Sequence, residues 1–246
     1  GGKQFSSSTG DVITLKEMLD IYEPEIIRHL FAGTRPNTEF AISFDLDVFK
    51  VYEDYDQCER IHYKQEEAAE KEYSKQKRIY ELSQVDQPAK EFPFQPSLRH
   101  MMNVVQLYQG DLEKIKAFYK EEIKTKEDEK KVETRAQCAL NWLEKYAPDD
   151  FKFKVNTKEE VKQLELDEKE KTIIKELANS LKTAKDDEKA LHDSFYVIAE
   201  EAKAEPKDLF KAAYKVLINK ERGPRLANFI LTIGIKEVIE LVEDAI

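Results

Sequence analysis

The first eleven residues, GGKQFSSSTGD (Gly1–Asp11), set three serines, a threonine and three glycines beside one lysine. Small residues leave backbone N–H groups unshielded and hydroxyls add donors, so the stretch has the means to cradle an oxyanion such as phosphate. It is not a Walker A loop, because the GK[ST] ending is missing. Read alone, the same composition also describes a flexible glycine-serine terminus. A second anion-holding arrangement lies near the other end, where Lys220, Arg222 and Arg225 cluster at an expected helix junction, Gly223-Pro224. A helix N-terminus beside guanidinium groups favours an anion, and a solvated junction is the alternative. No metal site is expected. His29, His62, His100 and His192 are scattered, and Cys58 and Cys138 are lone thiols without a CxxC partner.

The elements that must carry these groups are mostly helical. In 246 residues there are only seven Gly and eight Pro, too few for a turn-rich β architecture. With 41% apolar residues the chain can build a core, and 37% charged residues imply much solvated surface. No apolar run approaches the ~18–20 residues that span a membrane, and no signal peptide opens the chain. Lone thiols point to a reducing compartment, so a cytoplasmic, metal-free protein is expected. The net charge of −10 would ordinarily argue against nucleic acid. It does not decide the matter, because 40 Lys and Arg can gather on one face and the local field governs binding.

Thr14-Leu15-Lys16-Glu17 reads as a capping box, followed by Leu15, Met18, Leu19 and Tyr22 on one helical face. Pro24 starts a second short helix with Ile26, Ile27, Leu30 and Phe31 inward, and Gly33–Asn37 is a turn. Phe40, Ile42 and Phe44 alternate with small or polar residues, which predicts a short half-buried strand and hence a small mixed α/β unit. From Val48 one helix is expected to run through a charged stretch toward Tyr80. The proline-rich 84–96 segment is a loop. Further helices are expected over 97–108, 111–127, 133–146, 158–182 and 188–203, with a break at 148–157. Pro206 opens a helix stopped by Gly223, Pro224 opens another stopped by Gly234, and a last amphipathic segment carries Val238, Ile239, Leu241 and Val242. Lys120, Lys124, Lys126, Lys130 and Lys131, interleaved with Glu and Asp, read as a solvated face with i, i+4 pairs. Trp142, at helical spacing with Leu140 and Tyr146, reads as core.

Taken as one string, SSSTGDVITLKEMLDIYEPEIIRHLFAGTRPNTEFAISFD resembles the region around the KMSKS-type loop of class I lysyl-tRNA synthetases. That pattern runs K-M-S-S-S-K-G-N-V, a helix, a Pro-Glu helix start, an Arg and an R-P-N turn. Ser6-Ser7-Ser8, Gly10, Val12, Pro24-Glu25, Arg28 and Arg35-Pro36-Asn37 fall in the matching places. WLEKYAPDDFKFKV (142–155) is similar to a W-x-x-x-Y-A-P-x-x-x-K-F segment of the family, and INKERGPRLANFILTIGIKEVIELV (218–242) to its closing stretch. There are departures: Gln4 and Thr9 stand where the family has Lys, Phe5 where it has Met and Asp11 where it has Asn. A neutral Gln or Thr cannot stabilise charge on a departing pyrophosphate as lysine does. Lys3 takes that role if the register slips, and otherwise the hydroxyls and amides carry it.

The resemblance implies the C-terminal half of such an enzyme. Residues 1–46 would be the loop and a stem-contact subdomain, and residues 47–246 an α-helix cage that binds the anticodon. ATP would meet Lys3, Ser6, Ser7, Ser8, Thr9 and Gly10. The tRNA(Lys) would meet Arg28 and Arg35 on the inner side of its L, their alternative being pairing of one Arg with Glu25 or Glu39. Phe92 and Phe94 beside Arg99, His100 and Asn103 suit a platform for unpaired bases, which are read by stacking and by hydrogen bonds to their edges; the alternative is that both rings staple the loop down. Lys220, Arg222 and Arg225 would meet RNA backbone. The parent reaction would be ATP-dependent activation of lysine and its transfer to the 3′-terminal adenosine. With the Rossmann half upstream, these residues alone are expected to be inactive. Two rivals are a helical protein-interaction scaffold without an RNA role and a glutamyl-type anticodon domain. The R-P-N turn and the Trp142 segment favour the lysyl family.

Overall fold

A computed structural model describes residues 14–35, 37–38 and 42–246, and these form thirteen helices and no strand. They fall into two compact units, one ending at Ala147 and the other Pro148–Ile246. The first holds α1 (Leu15–Ile21), α2 (Pro24–Gly33), α3 (Val48–His62), α4 (Glu70–Ser83), α5 (Leu98–Leu107), α6 (Leu112–Phe118) and α7 (Lys126–Lys145). The second holds α8 (Lys158–Val161), α9 (Glu168–Leu181), α10 (Glu188–Glu201), α11 (Pro206–Ile218), α12 (Leu226–Ile233) and α13 (Ile235–Asp244). The chain is thus mainly α, as expected.

Helix starts follow local chemistry. The Glu17 amide donates to Thr14 Oγ1 at 3.2 Å while the Thr14 amide donates to Glu17 Oε2 at 2.7 Å, closing the capping box. Thr125–Asp128, Thr157–Glu160 and Asp167–Glu170 repeat the device at α7, α8 and α9. Pro24 and Pro206 occupy first-turn positions of α2 and α11, where their missing N–H leaves nothing unpaired.

In the first unit the inward stripe of α7 runs Val132, Arg135, Ala136, Ala139, Trp142 and Leu143. Trp142 is core: it is buried, its Nε1–H donates to the Phe44 carbonyl at 2.9 Å, and its ring lies edge-on to Phe49 at 5.5 Å. The second unit closes over Ile173, Leu177, Phe195, Leu209, Leu217, Phe229 and Val238, all fully buried.

Several expectations need correction. The predicted strand over 40–44 is absent from residues 42–44, and residues 40 and 41 lie outside the described ones, so a mixed α/β unit is not confirmed. Side-chain bonds hold the backbone in a turn instead: Ser43 Oγ–H donates to Asp45, and the Asp47 amide donates to Asp45 Oδ1 at 2.9 Å. The single helix expected from Val48 toward Tyr80 is broken. Lys64 adopts a left-handed φ of 58°, the Gln65 amide returns to the Arg60 carbonyl at 2.8 Å, and the Lys64 amide to that of Ile61 at 3.1 Å. This is a Schellman stop built on lysine in place of the usual glycine.

The segments expected at 111–127 and 158–182 each divide in two, because Thr125 and Asp167 cap new helices inside them. Asn219, left-handed at φ 51°, ends α11 before Gly223. On α1, Ile21 and Tyr22 are buried whereas Leu15 and Leu19 are 63% and 41% exposed. Asn141 and Lys145 of α7 hold the Asp20 carbonyl and carboxylate at 2.8 and 2.7 Å, which fixes the helix rotation.

Candidate nucleic-acid interface

Lys3, Ser6, Ser7, Ser8, Thr9 and Gly10 lie outside the described residues. Arg28 projects from α2 to the end of α4, where its Nε donates to the Ser83 carbonyl at 3.1 Å and its Nη2 to the Leu82 carbonyl at 3.0 Å. A guanidinium at a helix C-terminus satisfies orphan carbonyls and opposes the negative end of the macrodipole. Arg28 makes no ion pair with Glu25. Arg35 is exposed on the following turn, where the Thr38 amide donates to its carbonyl at 3.1 Å and Asn37 is left-handed at φ 64°.

The loop between α4 and α5 does not present Phe92 and Phe94 as one platform. Phe92 packs on Tyr63 at the end of α3, ring centroids 5.7 Å apart, and is 41% exposed. Phe94 turns to Tyr119 at the end of α6, 5.5 Å away, and its amide donates to Asp128 Oδ1 at 2.8 Å. Arg99 lies 4.4 Å from the Phe49 ring centroid and donates to Glu53 Oε1 at 2.8 Å. Asn103 is half-buried on α5 and makes no side-chain hydrogen bond among the described residues.

In the second unit, Lys220 donates to the Asp149 carbonyl at 2.9 Å, whereas Arg222 and Arg225 are exposed and make no ion pair among the described residues. Gly223 is required between them. A Cβ there would sit 2.8 Å from the Tyr214 ring and 2.9 Å from Ile218 Cδ1. Tyr214 in turn donates its hydroxyl to the Pro224 carbonyl, fixing the junction. Of the nine proposed RNA contacts, Arg35, Arg222 and Arg225 make no ion pair among the described residues, Glu39 lies outside the described residues, and the Phe92 and Lys220 segments belong to different compact units.

Sequence reasoning missed the polar centre of the first unit. Arg135, fully buried, donates from Nε to Glu23 Oε1 at 2.6 Å, from Nη1 and Nη2 to Asp56 at 2.9 and 2.8 Å, and from Nη1 to the Pro96 carbonyl at 2.8 Å. One guanidinium thereby ties the α1–α2 junction, α3 and the proline loop to α7. Burial pushes the Asp56 carboxyl up to about 6, with Glu23 and Glu59 adding to the rise and Arg135 opposing it. Lys131, expected on a solvated face, reaches inward to the buried Glu59 at 2.7 Å and to Gln95 Oε1 at 3.0 Å. The one sequence signal for this network is an arginine within the apolar stripe of α7. The i, i+4 ion pairs expected along the lysine run are not formed among the described residues.

Asp128 joins the loop to the start of α7, accepting from the amides of Phe94, Lys124 and Thr125 at 2.8, 3.0 and 2.8 Å. Burial alone would raise its pKa, but these donors outweigh burial and hold the carboxyl below its ordinary value. Among the described residues no helix is long and apolar enough to cross a membrane, and no group of His, Cys, Asp and Glu could hold a metal ion.

Short, locally capped helices with exposed arginines at two turns give a nucleic acid cationic contacts, and comparison with known proteins defines the class. A family model described as class I tRNA synthetases (K) matches residues 1–86. The chain is 45% identical over 245 residues to a lysine–tRNA ligase of Borrelia garinii subsp. bavariensis, covering 98% of the chain and 46% of that relative. It is 46% identical over 238 residues to that of Borreliella burgdorferi (96% and 45%) and 41% identical over 242 residues to that of Treponema pallidum (94% and 44%). The chain belongs to the class I lysyl-tRNA synthetase family. It spans about half the length of the curated relatives it matches.

Proposed function

We propose that this chain is the C-terminal, tRNA-holding portion of a lysine–tRNA ligase. Residues 1–46 form the KMSKS-type loop and stem-contact part, and residues 47–246 the anticodon-binding helical part. The whole enzyme activates lysine with ATP and transfers it to tRNA(Lys) in the cytoplasm. The observation that carries this reading is identity of 41–46% to lysine–tRNA ligases across 94–98% of the chain. Such a ligase has to hold a large polyanion, and Arg35, Arg222 and Arg225, exposed and without an ion pair among the described residues, supply charge for its backbone.

ATP, when bound, supplies the energy of lysine activation. In this chain Ser6, Ser7, Ser8, Thr9 and Gly10 would offer hydroxyl and amide donors to its phosphates, with Lys3 as the nearest cation.

The test is binding of the chain to tRNA(Lys) and to a non-cognate tRNA at two salt concentrations. Preference for tRNA(Lys), with affinity falling as salt rises, is expected, because each phosphate neutralised releases counterions. Equal binding to both tRNAs would overturn the reading.

A further inference from the structure

Phe92 is an apolar ring held in the open by a stiff loop. Tyr63 donates its hydroxyl to the Ala89 carbonyl at 2.8 Å, and the Phe94 amide is tied to Asp128 at 2.8 Å, so the chain is anchored three residues before and two residues after Phe92. Pro88, Pro93 and Pro96 restrict the backbone between and beside these anchors. Behind Phe92, Tyr63 is locked in turn. His62 meets it edge-on at 4.6 Å and Tyr80 at 5.7 Å. The Phe92 ring is tilted by 58° to Tyr63, so its inner side rests on a fixed support while 41% of the residue stays in solvent.

We propose that Phe92, backed by Tyr63, is the stacking platform for one unpaired base of the tRNA; this rests on the tRNA-binding reading above. A ring already ordered on an anchored loop loses little conformational entropy when a partner covers it. Any base presents a π-face, so stacking here is sequence-tolerant and contributes affinity without charge. The flanking side chains fit that division. Lys90 and Glu91 are both exposed and opposite in charge, so the segment beside the ring adds no net charge. Phe94 is unsuited to the same task, because it is half-buried against Tyr119, which is itself buried.

The experiment uses an anticodon stem–loop of tRNA(Lys) carrying 5-iodouridine at each anticodon position in turn, photo-cross-linked to the chain, with the linked residue mapped by mass spectrometry. Alongside it, tRNA(Lys) binding is measured for Phe92→Leu, which keeps an apolar cover on Tyr63, and for Phe92→Trp, which keeps a stacking face. The expected result is a cross-link at Phe92 or Tyr63, about tenfold weaker binding for F92L with an unchanged salt slope, and wild-type binding for F92W. If the wild-type chain prefers tRNA(Lys) but the cross-link maps elsewhere and F92L binds like wild type, the platform is wrong and the tRNA reading stands. If the wild-type chain shows no preference for tRNA(Lys), both fall.

Discussion

Arg135 and Asp56 meet as a bidentate pair, Nη1 to Oδ2 at 2.9 Å and Nη2 to Oδ1 at 2.8 Å, with the guanidinium fully out of solvent. The same group also serves Glu23 and the Pro96 carbonyl, so two carboxylates share one positive charge. Removing it would leave both carboxylates buried without their partner, a loss of about 3–5 kcal/mol in comparable pairs. Arg135→Ala should therefore shift urea unfolding of the first unit by that amount. Trp142, the single Trp of the chain, lies in the same unit and reports that transition by fluorescence. An unmoved midpoint would show that the cluster is not buried as described.

Two carboxyls of the first unit should give opposite pH dependences. Asp56 has a folded pKa raised to about 6, above its ordinary value of about 3.9, so the folded state binds the extra proton between these values. Its contribution to stability is full below about pH 4 and is lost as pH rises to about 6; Asp56→Asn removes that slope. Asp128 has a lowered folded pKa. Its contribution is present above about pH 4 and is lost on acidification through the folded value, with the Phe94 amide released first. Hydrogen exchange at Phe94 should rise on acidification, relative to its intrinsic rate, in the wild type, and should be high at every pH in Asp128→Ala.

Lys203 ends α10 in the left-handed region at φ 53°, with the Ala204 amide on the Ala199 carbonyl at 2.8 Å. A side chain there is strained and glycine is not. Lys203→Gly should raise the stability of the second unit by about 0.5–1 kcal/mol, visible as a higher thermal midpoint. A lower midpoint would mean the lysine side chain contributes more than its backbone strain costs.

At the α11–α12 junction, Gly223→Ala drives a methyl group into the buried Tyr214 ring. Overpacking of this kind costs about 1–3 kcal/mol. The turn carrying Arg222 and Arg225 must then move, so the variant should both unfold at lower temperature and bind tRNA(Lys) with a shallower salt slope. Wild-type values for both would show that the junction yields without cost.

What the residue order determined by itself was local or cumulative. Thr14–Glu17 closes a cap between residues three apart, Pro24 and Pro206 set their helices at the first turn, and Gly234 stops α12 at φ 108°. Each needs only its near neighbours, and Trp142 fell in the core because its spacing with the rest of α7 does not depend on distant partners. The family likeness was legible because an ordered string of small signals survives even where Gln4 and Thr9 depart from it. Tertiary structure decided the rest. The break after His62 was hidden because lysine at a left-handed stop looks like any surface lysine. Phe92 and Phe94, two residues apart in one loop, were separated by partners on α3 and at the end of α6. Arg135 and Lys131 lie among solvated-looking charges, yet their partners stand 36 to 112 residues away. Burying such charges is tolerable only when those distant carboxylates and carbonyls arrive together, and that meeting exists only in the folded chain.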